Sequence, residues 1–153
     1  MDDDEPTEVG NTRRSTVLIV DDLVPLAMVL RRVLHEHEVT VVTRAEDALD
    51  LLASGRSFDV ILSDLMMPRM TGMDLYDQLS RDFPWAAERM IFMTGTAFTP
   101  AAHAFFDRVA NERLEKPFAL GAVRAAVAKT AARTISRNSF RADANSSAEP
   151  DTP

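Results

Sequence analysis

Between Ser15 and Arg133 the chain passes five times from a short, unbroken apolar run to a segment whose apolar residues return every three or four positions. This alternation constrains the fold more than any other feature. An unbroken apolar run of four to eight residues reads as a strand covered on both faces, and a 3.6-residue period reads as a helix with one buried stripe. Ser15–Val20 is the first such run, and Leu26, Val29, Leu30, Val33 and Leu34 then recur at helical spacing, with Pro25 suited to a first turn. Glu38–Val42 is the second strand. Thr43-x-x-Glu46 has the form of a capping box opening a helix that carries Ala48, Leu49 and Leu52 and stops at Gly55. Phe58–Ser63 reads as strand three, and Thr71-x-x-Asp74 with Leu75 and Leu79 as a helix halted before Pro84. Met90–Met93 is strand four, Thr99-Pro100 starts an alanine-rich helix, Arg113–Glu115 is a short fifth strand, and Ala119 to about Arg133 a fifth helix.

Strands alternating with helices predict a parallel sheet covered on both faces and joined by right-handed crossovers, a doubly wound (βα)5 domain. Ligands of such sheets sit beyond the carboxyl ends of the strands. The residues there are Asp21 and Asp22 after strand one, Asp64 after strand three, Thr94 and Gly95 after strand four, and Lys116 and Pro117 after strand five. All are polar or have special backbone properties.

The chain of 153 residues, 46% of them hydrophobic, is sized for one core. The expected organisation is an acidic disordered tail over residues 1–14, one domain over 15–133, and a disordered tail over 134–153 that is too polar to offset its ordering entropy. A formal charge of −7 argues against holding nucleic acid by phosphate neutralisation. Without cysteine there are no disulfides or thiolate metal sites, and with no long apolar run and an acidic start, MDDDEPTE, the expectation is a cytoplasmic protein away from membranes.

Three carboxylates about 5 Å apart at an effective dielectric near 20 repel by roughly 3 kcal/mol per pair, so they either take up protons or hold a cation. Oxygen-only ligands suit Mg²⁺, which readily accepts phosphate oxygens as further ligands. A carboxylate can itself be the nucleophile in phosphoryl transfer, and Asp64, at the middle of the edge, is best placed to be one. Its flanking groups would then act electrostatically, the cation on one side and the Lys116 ammonium and Thr94 hydroxyl on the others.

The segments VLIVDD, LSDLMMPRMTGMDL, FMTG and LEKPF, in this order, resemble the signature segments of receiver domains of bacterial two-component response regulators. The resemblance runs from Thr16 to about Val127, and FMTGTAFTP with NERLEKPF is similar to receivers at the carboxyl end of hybrid histidine kinases. It implies a flavodoxin-like sheet with strand order 2-1-3-4-5. It also implies Asp64 as phosphoacceptor, Asp22 as direct Mg²⁺ ligand, Asp21 acting through water, Met66 ligating through its backbone carbonyl, and Thr94 and Lys116 contacting the phosphoryl group. A cis Lys116-Pro117 bond is a further expectation. The donor would be a histidine kinase or a histidine phosphotransfer domain. The chain would be a signalling receiver rather than an enzyme, catalysing only its own phosphorylation and slow dephosphorylation. One position departs from the pattern: Arg113 stands three residues before the lysine, where the family usually carries an aromatic residue. A cation there could pair with a partner's acid, or with Asp107 or Glu112.

Competing readings differ in what they require. A phosphatase or mutase using an aspartyl phosphate would carry a second acid two residues after the nucleophile, where Met66 stands. A phosphorylation-independent interaction module would normally lack part of the Asp22, Asp64, Lys116 set, none of which is lost here, and a detached receiver of a hybrid histidine kinase is a further alternative. Neither G-x-G-x-x-G nor G-x-x-x-x-G-K occurs. Met66, Met67, Met70, Met73, Met90 and Met93 read as filling core gaps or lining a loop rather than binding copper, and His35, His37 and His103 as surface groups.

Overall fold

The computed structural model describes residues 14–95 and 99–147; most of the expected acidic tail, and the last six residues, lie outside them. Five strands, β1 (Thr16–Val20), β2 (Glu38–Val42), β3 (Val60–Asp64), β4 (Met90–Thr94) and β5 (Arg113–Glu115), form one sheet in the order β2-β1-β3-β4-β5. All neighbours pair in parallel, with Val20 opposite Ser63, Asp64 opposite Met93 and Thr94 opposite Glu115. The helices are α1 (Val24–Val33), α2 (Ala45–Ala53), α3 (Gly72–Asp82), the single turn α4 (Pro84–Ala87), α5 (Pro100–Arg108) and α6 (Leu120–Ser147). Strand order and helix alternation are as expected, and α4 is an addition that Pro84 starts rather than prevents.

Because neighbouring side chains leave a strand on opposite faces, the apolar runs feed two cores. Leu18, Val20, Ile61 and Phe92 pack with residues of α2, α3 and α5, whereas Val17, Ile19, Leu62 and Met93 pack with residues of α1 and α6. Each fully buried Leu or Val contributes roughly 1.5–3 kcal/mol, so both faces must be covered for the strands to be stable. The buried stripe of α1 is Ala27, Leu30 and Leu34; Val29, expected within it, is 46% exposed because it lies a third of a turn round the helix.

Helix ends test the local signals. Thr71 accepts from the Asp74 N–H while Asp74 accepts from the Thr71 N–H, the capping box expected there. The one expected at Thr43 does not form: the N-cap is Arg44, with no side-chain cap, and its guanidinium instead grips Asp47 at 2.7 Å. Gly55 stops α2 as expected, at φ 99°, with its N–H donating to Leu52 and that of Arg56 to Leu51.

Two boundaries are corrected. β3 begins at Val60 rather than Phe58, because the Asp59 carboxylate accepts from both the N–H and the hydroxyl of Thr16, holding that residue as a side-chain clasp outside the strand. The tail expected from Thr134 is helical to Ser147. Thr134 is buried, its hydroxyl donates to the Asp59 carbonyl at 2.9 Å, and Arg137 pairs with Glu88 at 2.6 Å, so this stretch gains tertiary contacts that its composition hides. His37 is likewise half-buried rather than a surface group, with Nδ1 accepting from the Ser15 N–H at 3.4 Å.

Candidate functional site

Parallel pairing brings the carboxyl ends of β1, β3, β4 and β5 to one edge, and with them every predicted side-chain group. Asp21 is fully buried and Asp64 is 6% exposed, while Asp22 is open to solvent. One carboxylate oxygen from each of the three lies within 4.8 Å of the others. The Lys116 ammonium reaches in from β5 to 3.6 Å from Asp64 Oδ1, and its peptide bond to Pro117 is cis. The Lys116 N–H donates to the Thr94 carbonyl at 2.7 Å, tying the two loop ends together. Met66 stands two residues past Asp64 with its side chain 49% exposed, and its N–H donates to the Asp64 carboxylate.

The loop after β3 is shaped by close contact. Ser63 donates its buried hydroxyl to the Asp64 carbonyl at 2.9 Å, and the Gly72 N–H donates to Leu65 at 2.8 Å. A Cβ at position 72 would overlap the Asp64 carbonyl oxygen, so only glycine lets α3 start against the strand end. The left-handed turn is made by Arg69, at φ 69°, an uncommon conformation for a residue with a side chain. Gly72 is thus needed for close approach and not for a positive φ, and Ser63 gave no signal in the sequence beyond being polar in an apolar run.

Burial raises the pKa of Asp64 and of Asp21 above the ordinary carboxylate value. For Asp64 the Lys116 charge and the Met66 N–H oppose that rise, and Asp22 adds to it. For Asp21 the Leu23 N–H, donating to Oδ1 at 2.9 Å, opposes it, and Asp64 adds to it. The other Asp21 oxygen, Oδ2, is buried without a partner, as is the Thr94 hydroxyl. A buried carboxylate oxygen lacking a donor, beside two more acids, fits a hard cation that takes oxygen ligands. The residues present therefore suit a divalent ion such as Mg²⁺, and the orphan Thr94 hydroxyl and the Lys116 ammonium suit an added oxyanion.

Arg113 projects on the α5 side of the sheet, its guanidinium 4.5 Å from the Phe106 ring centre. Glu112, one of its expected partners, pairs with Lys129 at 2.8 Å instead. Phe106 is part of an edge-to-face cluster with Phe92 and Phe105, so the cation caps an aromatic core where an aromatic residue was expected.

Comparison with known proteins agrees with this geometry. The family model for the response regulator receiver domain matches residues 17–128. The chain is 34% identical over 108 residues to the DNA-binding transcriptional regulator NtrC of Escherichia coli K12, covering 69% of this chain but 22% of NtrC. It is 26% identical over 111 residues to Histidine kinase P4 of Formosa agariphila, covering 72% of this chain and 8% of the kinase. The fold superposes on a response regulator receiver domain protein from Clostridium thermocellum with a TM-score of 0.69 at 24% identity, over 78% of this chain and 95% of that one. With four loop ends converging on Asp64 and a family match over most of its length, the chain belongs to the response regulator receiver domain family.

Proposed function

We propose that the chain is a phosphoacceptor receiver that takes a phosphoryl group onto Asp64 from the phosphohistidine of a histidine kinase or histidine phosphotransfer domain, in a Mg²⁺-dependent reaction in the cytoplasm. The observation that carries this reading is the buried Asp64 carboxylate set between two further acids and an ammonium 3.6 Å away. Asp21, Asp22, Asp64 and the Met66 carbonyl would hold the ion, which when bound supplies positive charge against the phosphoryl oxygens. An Asp64 carboxylate oxygen attacks phosphorus, the P–N bond to the donor imidazole breaks, and that imidazole recovers its lone pair as leaving group. Lys116 and the Thr94 hydroxyl stabilise the oxyanion, and Asp21 keeps the cluster anionic enough to retain the ion. Slow reversal is hydrolysis: water attacks phosphorus, the P–O bond to Asp64 breaks, and phosphate leaves. The chain would signal through its surface and act catalytically only on its own phosphorylation and dephosphorylation. No helix among the described residues is long and apolar enough to cross a membrane, in keeping with the proposed location.

Incubation with acetyl phosphate and Mg²⁺, followed by intact mass measurement, tests the reading. Wild type is expected to gain one phosphoryl group, to lose it on standing, and to gain none when a chelator removes the ion. Asp64→Asn is expected to gain none. Equal labelling of that variant would overturn the assignment.

A further inference from the structure

We propose that a cleft at the opposite end of the sheet from Asp64 binds a small oxyanion, with Arg133 as its main cation. The cleft, about 180 Å³, lies at the amino ends of β4 and β5 and is walled by α6 and the α4 turn. Thr130, Arg133, Thr134 and Arg137 share one face of α6 at spacings of three, four and seven residues, and all four line it. The charges are uneven. The two acids in its wall are already matched, Glu88 to Arg137 at 2.6 Å and Glu112 to Lys129 at 2.8 Å. Arg89 is engaged as well, donating to Phe58 O and Asn138 Oδ1 and lying over the Trp85 ring. Arg133 has no hydrogen-bond or ion-pair partner among the described residues.

One further observation points to a ligand. Thr130 is 2% exposed and its hydroxyl is unpartnered, a rare condition for a buried polar group. The opposite wall is rigid, because Asn111 Nδ2 donates to both the Ala87 and Met90 carbonyls at 2.9 Å. A local excess of guanidinium on a chain of net charge −7 runs against the overall field and would draw an anion to this end. Guanidinium forks match phosphate and carboxylate oxygens two at a time, and the hydroxyl supplies a further donor. The volume lies below the roughly 300–1,000 Å³ of pockets for drug-sized ligands, so the fit is inorganic phosphate or a short organic acid rather than a nucleotide.

The site shares no residue with the phosphoacceptor cluster, so its test is made on the whole Asp64→Asn chain without divalent cation, where no phosphoryl transfer occurs and any shift at Thr94 or Lys116 is read as binding at the other edge. Amide chemical shifts are followed during titration with inorganic phosphate and, separately, succinate, at ionic strength matched with chloride. Saturable shifts confined to residues 110–112 and 130–137 are expected with one or both anions, and which of them acts identifies the oxyanion source. Arg133→Gln, at an exposed position, should weaken binding about tenfold or more. Thr130→Val should also weaken it, and Arg31→Gln, on a distant surface, should not. Shifts that chloride reproduces, that fail to saturate, that survive Arg133→Gln, or that appear only as protein concentration rises would overturn the proposal.

Discussion

The residue that most limits variation near Asp64 carries no functional group. Gly72 starts α3 directly against the Asp64 carbonyl, and any side chain there must push the strand end away. Gly72→Ala is therefore expected to cost about 1–3 kcal/mol, the usual range for forcing extra atoms into packed structure. It should also slow acetyl phosphate labelling, because the displaced atoms belong to the acceptor residue itself. Urea unfolding and labelling rate, measured on one preparation, check both; a variant as stable and as reactive as wild type would show that the loop relaxes freely. Arg113 makes a related point. Its identity was plain in the sequence, but its place over Phe106 was not, because α5 and β5 meet only in the folded chain.

Among the elements, α6 is where composition and structure part. Ser, Ala, Asp and Pro near the end suggested a tail from Thr134, yet the stripe of Val123, Val127, Thr130, Ala131 and Thr134 carries the helical period into that segment, and all five are buried. Threonine carries the stripe in its last turns, and a hydroxyl counts as polar until its acceptor, here the Asp59 carbonyl, comes into view. Ending the chain after Arg133 is expected to destabilise it by about 1–3 kcal/mol. Most of that would come from the lost Thr134 hydrogen bond and burial, since the exposed Arg137–Glu88 pair is worth little. Denaturant midpoints of the two lengths decide it: equal midpoints would mean that the last turns are held too weakly to matter.

For the whole molecule, the electrostatics of the acidic edge set how stability depends on pH. Burial lifts Asp21 and Asp64 above the carboxylate value of an unfolded chain. In the window between the unfolded and folded values the folded state holds more protons, so the contribution of these two groups to metal-free stability falls as pH rises through it. A bound cation reverses the sign, since it needs both groups ionised. Mg²⁺ at a hundredfold excess over its dissociation constant should raise stability near neutral pH by about 2.7 kcal/mol, and the gain should shrink as pH falls into the raised carboxylate range. Thermal unfolding across a pH series, with and without Mg²⁺, tests this, and Asp64→Asn should lose most of the gain. A gain that is independent of pH or retained in that variant would place the ion elsewhere.

The sequence by itself determined the number, order and kind of the main strands and helices and the residues at the strand ends, because apolar period and turn chemistry are local properties of the chain. It could not measure the separation of Asp64 from Lys116, find the acceptor for Thr134, choose Arg44 over Thr43 as a cap, or see the cleft lined by Arg133. Each of those depends on atoms distant in sequence or on competition between nearby partners, which packing settles only after the sheet has formed.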